Sequence, residues 1–447
     1  MTKTLMDIQI EDSDRLASEG DLPNFSLAGT GKTLTSLEAF KKAGHSRGLV
    51  LGPAISLQMW QEESEEWLGC KTQVLRKGSD MIDKSADLIV APYDLAGGSQ
   101  RRALYKHFSP QVGETSALIL DESDRLRRAT SNRACAVYGV ATDGAGGFAE
   151  NFSQVWHMTG NPVYRFHDDL WPMLHAMYPD VLAKYHSLEY NQFVRNFCVC
   201  KMKQFNPKMQ PKMTIIRSQG EAIIHHILYD QIKAIRRLEA TDLPELVTQR
   251  LYPKLGVIPA QYAKYVNKMS EQELLKALVT DNKDGGIDMQ HVWQAVALAK
   301  VKGASEYLED CCKQAPVLIG VWHNSVGQAY YEELTKIGLK VRRVYGATPD
   351  REREEIRDLF NAGSIDAIIG QMQAMGVSWN LQKASHRVVI AQDHFSPSVI
   401  EQFYKRVFRK GQQNKTYLDF LTSQHPLDKV IEKVRLSRQR SQEKSLG

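Results

Sequence analysis

The sequence predicts an α/β fold of two parallel-sheet lobes with helical segments between and on them, and three observations lead to it. Short apolar runs alternate with helix-period segments through the first 160 residues. The same alternation returns from Val317 to Leu421. Between the two blocks, over roughly 163–300, the pattern is mostly helical, broken by polar or proline-containing joints. Strands alternating with helices of ordinary length argue for parallel sheets covered on both faces.

In the first block the expected strands are Phe25–Ala28, Gly48–Leu51, Leu88–Ala91, Ala117–Leu120 and Val155–Met158, with helices over Thr33–Lys42 and Leu57–Trp67. In the second they are Val317–Trp322, Val341–Tyr345, Ala367–Gly370, Val388–Ala391 and Tyr417–Leu421. A helix should begin near Pro349, with Thr348 as its N-cap and Gly363 as its stop. The joints of the middle are placed at Asn206–Pro211 and Asp281–Asp288.

The 447 residues suffice for two to four domains. A hydrophobic share of 43% with 24% charged residues is ordinary globular usage and excludes a disordered or collagen-like chain. No apolar stretch approaches the roughly 18 residues that span a bilayer. The first residues are acidic, without an apolar signal core. A net charge of +5 permits a nucleic-acid partner without demanding one. Six cysteines without a C-x-x-C pair read as reduced thiols of a cytoplasmic protein, and no zinc site or membrane segment is expected. His225–His226 and His291 have no metal-ligand spacing with them.

Ser26–Thr33 reads S-L-A-G-T-G-K-T after an expected strand and before an expected helix. Gly29 and Gly31 let the backbone curl so that N–H groups face an anion, with Ala28 and Thr30 completing the loop. Lys32 can reach the β- and γ-phosphates, and the Thr33 hydroxyl can bind Mg²⁺. The helix N-terminus adds partial positive charge. An ordinary glycine turn capping a helix is the alternative, and Ser26 stands where the strict pattern has Gly. Leu118–Asp124 (L-I-L-D-E-S-D) is an apolar strand ending in two adjacent carboxylates. Asp121 suits a Mg²⁺ ligand and Glu122 the group that orients water; a polar turn after a buried strand is the bland reading.

With both motifs in hand, the chain resembles superfamily 2 helicases, most closely the Swi/Snf-type double-stranded DNA translocases. Leu5–Gln9 followed by Leu16 resembles the segment whose Gln reads adenine, which makes Gln9 the candidate. Gly48–Trp60 resembles a strand and turn that touch the DNA backbone, and Asp121–Asp124 the D-E-A-H box, with Asp in place of His. Met158–Val163 (M-T-G-N-P-V) resembles L-T-G-T-P-I, followed by D-D-L-W at Asp168–Trp171. Arg236–Arg237, Leu243–Pro244 and Gln261–Tyr262 resemble the R-R, L-P and Q-x-x-Y landmarks. Ala374–Leu381 resembles G-G-x-G-L-N-L, with Met375, Ser378 and Trp379 departing. Gln402–Gln412 resembles Q-x-x-x-R-x-x-R-x-G-Q. The likeness spans about residues 5–425.

The resemblance implies RecA-like lobes: an N-terminal ATP-binding lobe over 1–257 with a helical protrusion at about 163–215, and a helical linker and second protrusion over 258–300. A C-terminal helicase lobe over 301–425 and a basic helical tail over 426–447 complete it. It implies ATP and Mg²⁺ as cofactors, Gln402 as a nucleotide contact, and Arg406 and Arg409 as fingers toward the γ-phosphate. If 401–409 were helical, Gln402, Arg406 and Arg409 would share one face. Pro53, Ser56, Thr159, Gly160 and Asn380 are the implied DNA-side residues.

Basic stretches add to this. Lys201–Arg217 holds Lys201, Lys203, Lys208, Lys212 and Arg217 without an acid, and Phe205 for stacking or core. Pro426–Gly447 holds six basic residues against three acidic. Such clusters suit sequence-independent phosphate contacts, though solvated surface is the competing reading. The expectation is a monomeric ATP-hydrolysing motor on double-stranded or branched DNA, acting in a bacterial or phage-infected cytoplasm and remodelling protein–DNA complexes or junctions. The alternatives are a strand-separating DNA or RNA helicase and a binding module without hydrolysis.

Overall fold

In a computed structural model the described residues are 4–27, 29–110, 112–139, 147–203, 212–238, 243–260, 262, 274, 289–375 and 379–447. They divide into two compact units, Met1–Ala240 with Ser441–Gly447, and Thr241–Arg440. Apolar runs such as L-I-V-A and A-L-I-L form strands because both of their faces find a core. In the first unit the strands are β1 (Leu22–Asn24), β2 (Arg47–Gly52), β3 (Thr72–Val74), β4 (Leu88–Pro92), β5 (Ser116–Asp121) and β6 (Gln154–Met158). They form one parallel sheet in the order β1-β6-β5-β2-β4-β3.

Alternate side chains serve different cores, as the two-residue period requires. Leu49, Leu51, Ile89, Leu118 and Leu120 pack on one face, while Val50, Val90, Ala117, Ile119 and Trp156 pack on the other. The second face is covered by the helices Asp7–Ser18, Lys32–Lys42 and Leu57–Leu68 through Leu16, Leu37, Phe40 and Trp60. A two-stranded antiparallel hairpin, β7 (Cys198–Lys203) and β8 (Lys212–Ser218), belongs to this unit.

The second unit is a parallel sheet of β9 (Leu246–Leu251), β10 (Val317–Val321), β11 (Val341–Val344), β12 (Ala367–Gln371), β13 (Arg387–Ile390) and β14 (Thr416–Leu421). Its order is β11-β12-β10-β13-β14-β9. Val317, Ile319, Val321, Ile369 and Val389 pack on the helices Val301–Gln314 and Asn324–Lys336. Both sheets thus have the parallel α/β class expected.

Several local expectations are corrected. The first lobe does not run to 257: the units part at 240/241, because Leu246–Leu251 pairs along its whole length with β14. The 163–215 protrusion is not purely helical, since it contains the β7–β8 hairpin. The first strand is Leu22–Asn24 rather than Phe25–Ala28. Phe25 and Leu27 instead donate backbone bonds to Ile235 and Arg237 (2.8 and 3.0 Å). Pro349, not Thr348, caps the helix Asp350–Asn361, whose stop at left-handed Gly363 agrees with expectation.

The helix carrying Gln402 is Pro397–Tyr404, so Arg406 and Arg409 lie beyond its end and the shared-face argument fails. The tail is a helix, Pro426–Leu446. Leu427, Val430 and Ile431 are buried in the second unit, and Leu446 in the first. Ala28, Phe205, Lys208, Gln261, Ser378 and the joints at 206–211 and 281–288 lie outside the described residues. No described helix is long and apolar enough to cross a membrane.

Candidate nucleotide site and nucleic-acid surface

Register sets the site of the first unit. Asn24 is paired with Met158, and Met158 with Asp121. The phosphate loop, the Thr159–Asn161 turn and the Asp121–Glu122 pair therefore leave neighbouring strands at the same level, at their carboxyl ends. Gly29 and Gly31 have φ of 91° and 81°, the left-handed values that only glycine adopts readily. A Cβ on Gly31 would also collide with the Gln9 side-chain amide. Gln9 is buried, accepts from the Met6 N–H (2.9 Å) and donates to the Gly31 carbonyl (3.3 Å). The expected adenine reader therefore touches the phosphate loop.

Lys32 curls into the loop, its Nζ donating to the carbonyls of Ser26 (2.7 Å) and Leu27 (3.1 Å). Thr30 closes the turn through its hydroxyl to Leu27 O (2.9 Å). Thr33 follows in the first turn of the helix Lys32–Lys42. Ser26, the departure from the strict pattern, has a use: its buried hydroxyl accepts from the Arg237 N–H (3.0 Å).

Asp121 is partly buried and accepts from Trp60 Nε1 (3.0 Å). Burial pushes its carboxyl up, and the Trp60 indole, the Ser56 hydroxyl and the Lys32 charge pull it back. Glu122 holds a left-handed backbone (φ 50°, ψ 53°), a strain that non-glycine residues carry mostly at functional sites. A loop with two left-handed glycines, an inward lysine, a Thr on the following turn and a carboxylate within its electrostatic reach suits a phosphate–Mg²⁺ group.

Asp124, where the D-E-A-H pattern has His, accepts from Thr159 Oγ1 (3.3 Å), and its side chain is about 10% exposed. It lines a small pocket with Arg127, Tyr138, His157, Thr159 and Asp169. Burial raises it to about 6 against the pull of Arg127 and Arg125. A folded pKa above the unfolded value of about 3.9 means that folding favours the neutral acid. That contribution is complete below about pH 4 and is lost as pH rises through about 6. Asp124→Asn stays neutral and still accepts from Thr159. It is expected to raise the melting temperature near pH 7.5 and leave it unchanged near pH 4. Thermal melts at both pH values check this, and an equal effect at both would contradict it.

Two arginines that sequence reasoning treated only as landmarks brace the site. Arg236 Nη1 donates to Phe25 O (2.7 Å) and Gly160 O (3.2 Å), tying the strand exit to the T-G-N-P turn. Arg237 pairs with Asp12 (2.7 Å) and Glu11 (2.8 Å) on the helix of Gln9. The R-R spelling was the available signal, but its partners Phe25 and Asp12 lie more than 200 residues away.

In the second unit, segments 379–385 and 406–412 are zipped together. Leu381 N–H donates to Arg406 O (2.9 Å), Arg409 Nη1 to Trp379 O (3.3 Å) and Gln412 Nε2 to Ser385 O (2.8 Å). Arg406 is buried, Arg409 and Gln402 partly so, and burial lowers the Arg409 pKa. Met375, the first departure, packs its thioether against Gly370, where a Cβ would collide with it.

The expected DNA-side residues separate by exposure. Asn380 and Lys201 are exposed and Gly160 is partly buried, whereas Pro53, Ser56 and Thr159 are buried. Ser56 turns inward to Pro53 O (3.0 Å) and Asp121, and Thr159 to Asp124, so neither side chain is presented to a partner. Lys203 lies on β7, opposite Lys212 in register. In the tail, Arg435 is bound to buried Asp393 (2.9 Å) and lies over Phe420, so it is internal rather than a phosphate contact.

Comparison with known proteins places a Helicase conserved C-terminal domain over residues 303–411. The chain is 22% identical, over 93% of its length, to a SWI/SNF-related matrix-associated actin-dependent regulator of chromatin subfamily A-like protein 1 of Xenopus tropicalis. It spans 42% of that relative. It is 20% identical to a probable global transactivator of Orgyia pseudotsugata multicapsid polyhedrosis virus, covering 87% of this chain and 79% of the relative. Among solved structures, the Sulfolobus solfataricus SWI2/SNF2 ATPase core in complex with dsDNA aligns with 95% of this chain and 88% of that one, at 18% identity and a TM-score of 0.42.

Proposed function

We propose that the chain is a superfamily 2 helicase-like protein of the Swi/Snf type, a nucleic-acid-dependent ATPase that translocates on double-stranded DNA. The observation that carries the reading is the in-register meeting of the phosphate loop, Asp121–Glu122 and the Thr159–Asn161 turn at one end of the first sheet. Gly29, Thr30, Gly31 and Lys32, with Ala28 in sequence, cradle the phosphates of ATP, and Gln9 meets the base. Thr33 and Asp121 would hold Mg²⁺, which would neutralise phosphate charge when bound. Glu122 orients the attacking water. Gln402, Arg406 and Arg409 belong to the helicase C-terminal domain and serve the γ-phosphate as nucleotide contact and fingers.

Cycles of ATP binding and hydrolysis then drive stepwise movement on a DNA track. Remodelling of protein–DNA complexes or branched junctions is the work such a motor does. The relative whose name places it in chromatin regulation supports DNA as the track. A triplex-displacement assay tests this. The motor should strip a third strand from a duplex with ATP without separating the two duplex strands; efficient duplex unwinding would favour a strand-separating helicase.

A further inference from the structure

The β7–β8 hairpin has two chemically different faces. Cys198, Cys200, Met213 and Ile215 pack beside Phe166 and Val194. The nearby Asp168 and Asp169 carboxylates act on this sulfur side, where burial and then Asp168 raise the Cys198 thiol. Alternation along the strands assigns Val199 and Lys201 to the opposite face. The register pairs them with Arg217 and Thr214, across a bulge between Val199 and Cys200. Lys201 and Arg217 are exposed. The two strands contain four basic residues, Lys201, Lys203, Lys212 and Arg217, and no acid.

We propose that this outer face is a duplex-DNA phosphate-backbone contact, separate from the nucleotide site, that supplies affinity rather than chemistry. It rests on the reading of the chain as a duplex-DNA motor and names an anchor for that track. A two-stranded ribbon with cations on one face and no base-reading pattern fits phosphates spaced along a backbone, which carry no sequence information.

The test is equilibrium binding of a mixed-sequence duplex to the full chain, by anisotropy over a salt series. For Lys201→Ala/Arg217→Ala the slope of log affinity against log salt should fall by about two, with roughly tenfold weaker binding near 0.1 M salt, alike for different sequences. The duplex concentration giving half-maximal ATPase should rise by a similar factor, with the effect in that concentration rather than in the plateau. Thr214→Glu, which sets a carboxylate opposite Lys201, should weaken binding likewise. Lys201→Arg/Arg217→Lys should retain the slope, and circular dichroism should show the fold kept. Wild-type slope and affinity in the double-alanine and Thr214→Glu variants would overturn the assignment and point the face toward another polyanion, such as an acidic protein. A wild-type chain that binds no duplex would overturn the motor reading itself, a result distinguishable from failure of the hairpin alone.

Discussion

Lys32→Ala is expected to lower ATP turnover by at least about a hundredfold, the scale on which removal of one charge-stabilising donor acts in a preorganised site. The Lys32 ammonium sits inside the loop on the carbonyls of Ser26 and Leu27, and its charge is felt at Asp121. Alanine leaves those carbonyls facing inward without the cation, so the loop loses its attraction for phosphate oxygens as well as its stabilisation of the transition state. Nucleotide affinity should therefore fall together with turnover. The sheet behind the loop does not depend on Lys32, so the melting temperature should change little. Steady-state ATPase assays and nucleotide titration check both, and wild-type turnover would refute the phosphate-loop assignment.

Arg409→Ala should separate binding from chemistry. A cis arginine finger contributes about 10³–10⁵ in turnover by neutralising charge that develops on the transferred phosphoryl group. Arg409 is held beside the 379–381 segment by its bond to Trp379 O, in surroundings that disfavour its charge. That arrangement preorganises a guanidinium, and its removal should cost turnover on that scale while nucleotide affinity stays within a few-fold. Arg409→Lys tells a finger from a prop. Lysine keeps a charge and a donor for Trp379 O but loses the planar fork, so it should restore the melting temperature without restoring turnover. Full activity in either variant would remove Arg409 from the chemistry.

What the sequence disclosed follows from burial. Strands covered on both faces, such as Val317–Val321 and Leu88–Pro92, read as continuous apolar runs, and their ends lie within a residue or two of expectation. The edge strand Leu246–Leu251 carries Thr248, Gln249 and Arg250 and lacks that signature; only its pairing with β14 reveals it. The hairpin escaped for a related reason: its outer positions mix Val199, Lys201, Thr214 and Arg217, and its inner ones mix Cys198, Cys200, Met213 and Ile215. Beyond Tyr404, K-R-V-F-R-K has good helical propensity, but buried Val407 and the bond from Leu381 to Arg406 O override it.

The site was legible where its chemistry is local in sequence, in the loop at 26–33 and the carboxylates at 121–122. It was not legible where side chains meet between elements, as Gln9 does the Gly31 carbonyl, or across more than 200 residues, as Arg237 does Ser26 and Asp12. Ser56 and Thr159 show the reverse error. Motif membership suggested outward contacts, whereas their hydroxyls turn toward Asp121 and Asp124.

The central claim is that this chain couples ATP hydrolysis to a duplex-DNA track. The direct measurement is the ATPase rate of the full chain titrated in parallel with duplex DNA, single-stranded DNA, branched DNA and RNA. Strong stimulation by duplex and branched DNA is expected, weakening steeply as salt rises, with little response to single strands or RNA. A rate unchanged by duplex DNA, or raised only by single strands or RNA, would contradict it.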